Sequence, residues 1–235
     1  MTEPLADPLW RNATDLCCDL QRGTIAATTL MENVYARIAA LNPRLNALVD
    51  LMPQEQAMAL AATADAVPIA ERGPLHGLPM APKDAVAVKG FSTSWGYRGF
   101  SENVGAQDDE LARRLREAGA IFIGHSNMPE FGLGSHTFNQ LYGHTYNPWD
   151  LSKTPGGSSG GAAVALAADM LPLADGSDLG GSLRNPASFC NVVGFRPSIG
   201  RMPFSRGFGW YGRMVTTGPM ACLLYTSPSP RDRIA

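Results

Sequence analysis

Two short segments rich in glycine and serine carry the residue types that could do chemistry in this chain. The first, residues 154–161, reads Thr-Pro-Gly-Gly-Ser-Ser-Gly-Gly, and the second, residues 176–184, reads Gly-Ser-Asp-Leu-Gly-Gly-Ser-Leu-Arg. Glycine lets the backbone approach a ligand closely, so the serines between the glycines can be presented at short range. Successive backbone N–H groups in such turns hold negative charge, either a bound phosphate or the oxyanion of acyl transfer. Both readings are open at this point.

Two known motifs can be compared with the first segment. A P-loop closes with Lys-Ser or Lys-Thr, and neither segment has that pair. Residues 157–161 fit the G-x-S-x-G nucleophile elbow, with Ser159 at the centre. In that fold the catalytic histidine follows the nucleophile, whereas all four histidines of this chain precede Ser159, namely His76, His125, His136 and His144. The elbow is therefore a weak alternative.

A lysine interrupts an apolar, β-leaning stretch at residues 75–89. If Lys83 is buried there, loss of hydration disfavours the ammonium and lowers its pKa, so that the amine can act as a base near neutral pH. The alternative is a lysine at a strand end that extends its ammonium into water. From this stretch alone, the second case is the more common one.

The composition excludes several functional classes. A chain of 235 residues with 45% hydrophobic and 17% charged residues is long enough to bury a sizeable core. A net charge of -2 gives no basic surface for nucleic acid, and no apolar run reaches the ~20 residues of a membrane span. The N-terminus lacks a signal-peptide pattern, so we expect a cytoplasmic protein without membrane attachment. The spacing of the four cysteines and four histidines indicates neither a disulfide framework nor a metal site.

The elements around these segments indicate an α/β fold. A capping-box pattern at Thr29 predicts a helix that ends at Asn42-Pro43, and residues 109–118 followed by 120–124 predict a helix and a buried strand. Between the two glycine segments we predict a helix over 159–169 and a strand over 170–174. The second loop then begins at Asp175, and a helical turn follows over 182–190.

The combination of several motifs resembles the amidase signature family. These motifs are Pro82-Lys83-Asp84, the Pro-Gly-Gly-Ser-Ser-Gly-Gly run of 155–161, the run of 176–184, and then Pro186-Ala187, Phe189-Cys190, Gly194-Phe195-Arg196-Pro197 and Gly200-Arg201. The resemblance extends from about Thr14 to Pro219. It implies a mixed β-sheet flanked by α-helices, and a serine hydrolase that uses a Ser-Ser-Lys triad without histidine, metal or cofactor.

The resemblance also implies roles for individual residues. Ser182 matches the nucleophile, Lys83 the base, and Ser158 the bridging serine, which usually follows a cis peptide bond. The oxyanion hole matches the backbone N–H groups of Leu179, Gly180, Gly181 and Ser182. Supporting positions are Ser159, Asp178 and Arg184. The chain departs from the usual pattern at 175–177, and Asn185 lies where family members vary with substrate, so the substrate is not specified.

Two functions of different classes fit these expectations. The first is an amidase that hydrolyses a small-molecule carboxamide through a serine acyl-enzyme and releases ammonia or an amine. The second is the glutamine-hydrolysing subunit of a tRNA-dependent amidotransferase, which would add partner subunits and tRNA. A binding module that uses the loops for an anion is a weaker third reading. A homodimer is left open as an assembly.

The last residues of the chain have a different character. Residues 222–232 read as the direct translation of a sequencing-library adapter, so we assign 1–221 to the N-terminal portion of a single amidase signature domain and 222–235 to an artefact. Family members usually continue for about as many residues again. We therefore expect the 235-residue chain by itself to expose apolar surface and strand edges and to be nearly inactive.

Overall fold

A computed structural model describes residues 12–202 and 214–222 of the chain. The helices are α1 (Ala13–Arg22), α2 (Ala27–Leu45), α3 (Gln54–Asp65), α4 (Glu110–Glu117), α5 (Gly160–Ala167) and α6 (Arg184–Cys190). The strands are β1 (Leu48–Val49), β2 (Pro79–Met80), β3 (Ile121–Phe122), β4 (His125–Ser126), β5 (Phe138–Asn139), β6 (Gly143–His144), β7 (Ala174–Asp178), β8 (Val193–Gly194) and β9 (Thr216–Ala221). No helix of this part of the chain is both long and apolar enough to cross a membrane.

The strands form small sheets with both parallel and antiparallel pairs. β2 pairs in parallel with β3, β1 pairs antiparallel with β4, and β5 with β6 forms a hairpin. The longest strands lie in an antiparallel sheet of order β7-β9-β8. Buried side chains from α1, α2, α3 and α5 pack with those of the sheets in one hydrophobic cluster. The α/β class with a mixed arrangement of strands is confirmed.

Helix α5 is buried because its side chains are small. A Cβ atom at Gly161 would lie 2.3 Å from the backbone nitrogen of Asn127 and 2.5 Å from the carbonyl oxygen of Ala47, so only glycine fits at this position. The N–H of Gly161 donates to the carbonyl of Asn127 at 3.1 Å. The helix thus rests directly on the backbone of its neighbours. This contact places the serine pair at the start of α5 deep inside the molecule.

The lysine segment and the second glycine segment come together at strand ends. Beyond β2 the chain continues alongside β4, where the N–H of Ser126 donates to the carbonyl of Pro82 at 2.9 Å and Lys83 forms a parallel bridge with Ser126. Strand β7 approaches from the other side, and its Asp175 accepts hydrogen bonds from the N–H of Lys83. Lys83 and the start of the second glycine segment therefore lie next to each other.

The predicted boundaries of α2 are wrong at both ends. The helix begins at Ala27 and not at Thr29, because its first N–H groups donate to the carboxylate of Asp65 at the end of α3. It also continues past Pro43 to Leu45, since a proline in the last turn removes only one hydrogen bond. The capping residue is far away in the sequence and could not be identified from the local pattern.

The strand predicted over 170–174 is also misplaced. The strand is β7, which begins at Ala174 and includes Asp175 and Gly176, for which the sequence predicts a loop. These two residues have low strand propensity, but the ladder with β9 supplies the hydrogen bonds. The predicted helices over 109–118 and 159–169 are confirmed as α4 and α5, and the turn over 182–190 as α6.

Substitution of Asp65 tests the long-range cap of α2. Its carboxylate accepts from the N–H of Ala27 at 2.6 Å and from the N–H and hydroxyl of Thr28 at 3.1 and 2.8 Å. We expect Asp65→Ala to lower the free energy of unfolding by about 1 kcal/mol, measured by urea denaturation. The control is Thr29→Ala at the position of the predicted capping box, which should cost less. Equal losses in the two variants would contradict this assignment of the cap.

Candidate active site

The amine of Lys83 lies at the centre of a cluster of serine hydroxyls. Its Nζ donates hydrogen bonds to the Oγ atoms of Ser158 at 2.7 Å, Ser159 at 3.0 Å and Ser177 at 2.9 Å. The residue is only 1% exposed. Lys83 is therefore a buried lysine, and the alternative in which its ammonium reaches water is wrong.

Burial determines the protonation state of this lysine. Loss of hydration disfavours the ammonium and lowers the pKa of Lys83 to about 7, although the negative charges of Asp175 and Asp178 act in the opposite direction. At neutral pH the amine is thus near the midpoint of its titration. An amine in this state can accept a proton from a neighbouring hydroxyl and later return it.

The serine pair at the start of α5 is held by the backbone. The peptide bond between Gly157 and Ser158 is cis, as the resemblance implied. Ser159 accepts a hydrogen bond from the N–H of Ser177 at 3.2 Å and is completely buried. Because a substrate carbonyl cannot reach a side chain without exposed surface, the burial of Ser159 argues against the nucleophile-elbow alternative.

Ser182 lies next to this cluster and is partly exposed. Its carbonyl oxygen accepts a hydrogen bond from the N–H of Ser159 at 3.2 Å, which ties the second glycine segment to the first. Among the described residues, the hydrogen bonds of Lys83 Nζ reach three other serines and not Ser182. Ser182 and the amine of Lys83 are thus not joined by a direct hydrogen bond in the described part of the chain.

The backbone before Ser182 offers N–H groups for an oxyanion. Of the four predicted donors, Gly181 already donates to the carboxylate of Asp178 at 2.8 Å. The N–H groups of Leu179, Gly180 and Ser182 have no hydrogen-bond partner within the described ranges. Leu179 and Gly180 are exposed, so a ligand can approach these donors.

Asp178 anchors the loop that carries Ser182. Its buried carboxylate accepts from Arg184 at 3.0 and 3.1 Å, from Arg196 at 2.9 Å, and from the N–H groups of Gly181 and Leu183 at 2.8 and 3.2 Å. Burial alone would raise the pKa of Asp178, but these hydrogen bonds from arginine and backbone outweigh it and hold the pKa well below its usual range. The carboxylate is thus charged at any physiological pH.

Three residues of the cluster have no role assigned from the sequence. Ser177 and Asp175 stand out there only as departures from the family pattern, and Arg196 only as part of a motif. Since residues i and i+2 of a strand share a face, a correct strand over 174–178 would have placed Asp175 and Ser177 together. No local signal could pair Arg196 with Asp178, because they are 18 residues apart, with α6 and β8 between them.

A short loop borders the cluster on its open side. A Cβ atom at Gly132 would lie 3.7 Å from Ser158 Oγ, so the chain around this glycine passes close to the Ser158 hydroxyl. The adjacent pocket is lined by Pro129, Glu130, residues 133–136 and residues 138–140. Within the described ranges, no group of three or more His, Cys, Asp or Glu side chains could hold a metal ion.

Comparison with known proteins gives the family. The sequence model of the family described as Amidase matches residues 29–225. The chain belongs to the amidase family. The match includes the cluster around Lys83 and both glycine segments, and it also covers the first four residues, 222–225, of the segment that we read as an artefact. Residues 223–235 lie outside the described part of the chain.

The curated relatives of this amidase chain include subunits of glutamyl-tRNA(Gln) amidotransferases. It is 41% identical over 192 residues to a glutamyl-tRNA(Gln) amidotransferase subunit of Lysinibacillus sphaericus, with 82% of this chain and 39% of the relative covered. The corresponding subunit of Syntrophobacter fumaroxidans is 44% identical over 187 residues, with 78% and 38% covered. The chain thus spans about two fifths of the length of these relatives.

Solved amidase structures share the fold. A bacterial aryl acylamidase of the amidase signature family superposes with a TM-score of 0.85 at 30% identity, covering 93% of this chain and 46% of that one. The peptide amidase of Stenotrophomonas maltophilia gives a TM-score of 0.80 at 33% identity, covering 94% and 47%. The amidase signature fold is therefore shown.

The pH dependence of the free energy of unfolding should reveal the lowered pKa of Lys83. The pKa of Lys83 is about 7 in the folded state and 10.5 in the unfolded state. Between these two pH values the lysine is protonated in the unfolded chain and neutral in the folded protein. The free energy of unfolding of the wild type should thus rise by about 1 kcal/mol per pH unit between pH 7 and pH 9 relative to Lys83→Met. Urea denaturation of both proteins at several pH values measures this difference. Parallel pH dependences would show that the pKa of the amine is not lowered.

Proposed function

We propose that this chain carries the catalytic residues of an amidase that hydrolyses a carboxamide through an acyl-enzyme on Ser182. The hydroxyl of Ser182 attacks the amide carbon while Ser158 accepts its proton and passes its own proton to the neutral amine of Lys83. The oxyanion is stabilised by the N–H groups of Leu179, Gly180 and Ser182, since the N–H of Gly181 already donates to Asp178. Loss of one such donor typically raises the barrier by about 2.7–4 kcal/mol.

The second half of the reaction uses the same groups in reverse. The protonated Lys83 returns its proton through Ser158 to the leaving nitrogen, so that ammonia or an amine departs as the C–N bond breaks. Water then attacks the ester carbon of acyl-Ser182, gives its proton to the same relay, and releases the carboxylic acid and the free serine. No cofactor is required for either step.

The observation that supports this proposal most directly is the hydrogen bond of 2.7 Å between Lys83 Nζ and Ser158 Oγ. A hydroxyl is a weak nucleophile until a base removes its proton, and the lowered pKa of Lys83 makes the amine such a base near neutral pH. The names of the solved relatives include a peptide amidase, an aryl acylamidase and a 6-aminohexanoate cyclic dimer hydrolase. These names differ in the groups on either side of the amide, so we propose the bond and not the substrate.

The names of the curated relatives favour one alternative. They are subunits of a glutamyl-tRNA(Gln) amidotransferase, so the same site could release ammonia from glutamine for use by a partner protein. Ammonia release from glutamine that appears only with partner subunits and tRNA would support this alternative. Turnover of simple amides by the isolated full-length protein would support the amidase.

Covalent labelling tests the assignment of the nucleophile and the base. We expect a fluorophosphonate probe to label the full-length protein at Ser182, and Ser182→Ala to abolish labelling. Lys83→Ala should slow labelling by about 10²–10⁴-fold, because it removes the general base. The exposed Ser152 gives a matched control, since Ser152→Ala should label at the wild-type rate. Labelling that persists in Ser182→Ala and disappears in Ser159→Ala would overturn the assignment.

A further inference from the structure

Asp175 is a buried carboxylate to which the proposed mechanism gives no role. It is 5% exposed and is the second residue of β7. Its neighbour across the ladder is Pro219, which has no N–H to donate. A carboxylate taken out of water is costly unless other groups compensate it, so the contacts of Asp175 must explain its presence.

The compensating contact is with the backbone of the proposed base. The N–H of Lys83 donates to both carboxylate oxygens of Asp175, at 3.2 and 3.4 Å. Two residues further along β7, Ser177 Oγ accepts a hydrogen bond from Lys83 Nζ at 2.9 Å. Strand β7 thus contacts the lysine at two points, its backbone nitrogen and the amine at the end of its side chain.

The charge of Asp175 also acts on the amine of Lys83. The other carboxylate that acts on the amine is Asp178, whose charge is already compensated by Arg184 and Arg196. In the described part of the chain, no arginine forms an ion pair with Asp175. The remaining groups around Lys83 Nζ are the uncharged hydroxyls of serines 158, 159 and 177. Of the two carboxylates that act on the amine, Asp175 is therefore the one without an arginine partner in the described residues.

The pKa values of Asp175 and Lys83 lie close to each other. Burial raises the pKa of Asp175 to about 6, while the hydrogen bond from the N–H of Lys83 and the lysine charge oppose this shift and the charge of Asp109 adds to it. Burial lowers the pKa of Lys83 to about 7, and Asp175 is the larger of the two charges that oppose this shift. Above pH 6 the ionised carboxylate thus supports the protonated amine.

We propose that Asp175 is a positioning residue for the general base: its carboxylate fixes the backbone of Lys83 and supplies the buried negative charge that lets the amine hold a proton. This inference rests on the proposed function, because it assigns to Lys83 the role of the base. Without the charge, burial would leave a neutral amine with less affinity for the proton of the relay. The relay would then work with a weaker base.

The test measures the rate of fluorophosphonate labelling of the full-length protein as a function of pH. In the wild type the rate should rise with pH through a midpoint near the pKa of Lys83, about 7. Asp175→Asn keeps the shape and an acceptor oxygen but removes the charge, so its midpoint should lie about 1–3 pH units lower, with a reduced plateau. Asp175→Glu keeps the charge and should retain the wild-type midpoint. The matched control is Asp150→Asn, which removes one charge from an exposed loop and should change neither value.

The outcomes separate this inference from the proposed function. A wild-type midpoint in Asp175→Asn, or equal shifts in the Asn and Glu variants, would overturn the role of the charge while leaving Lys83 as the base. Wild-type labelling in Lys83→Ala would overturn both. If Asp175→Asn does not fold, the reciprocal measurement decides, because coupling between two groups is equal in both directions. Carboxyl ¹³C NMR should then show a higher pKa for Asp175 in Lys83→Met than in the wild type, and an unchanged pKa would overturn the inference.

Discussion

The site depends on the burial of one amine among hydroxyl groups. A lysine in water stays protonated at neutral pH, and only removal from water brings the pKa of Lys83 to about 7. Such burial is costly, and the cost is limited by hydrogen bonds to three serines that lie at the start of α5 and in β7. The packing of these two elements is thus what gives this lysine a pKa near neutrality.

The hydrogen-bonding capacity of the amine fits its three partners. A neutral amine has two N–H donors and one lone pair, so it can donate to two hydroxyls and accept a proton from the third. Ser159 and Ser177 also contact each other, since the N–H of Ser177 donates to Ser159 Oγ at 3.2 Å. In the proposed relay, these two hydroxyls accept from the neutral amine, and its lone pair faces Ser158. The same arrangement satisfies the ammonium after proton transfer, when all three N–H groups donate.

The sequence predicts the family better than it predicts the strands around the site. The motifs around Lys83 and the serine pair identify the family, and helices with strong amphipathic or small-residue patterns are placed within a few residues. The strand β7 could not be predicted, because Asp175 and Gly176 have low strand propensity and the pairing partner β9 is about 40 residues away. The same error hid the contacts of Asp175 and Ser177 with the lysine. Long-range pairing thus determines what local patterns cannot show.

Helix α5 fixes the serine pair through contact between backbones. Gly161 lies against the backbone of Asn127 and Ala47, where no side chain fits. The position of Ser158 is therefore insensitive to the side chains of the nearby pocket. Residues such as Leu133, which is 73% exposed, can change in size or polarity without moving the serine pair beside Lys83. A scaffold of this kind lets the lining of the pocket vary while the arrangement of hydroxyls around Lys83 is retained.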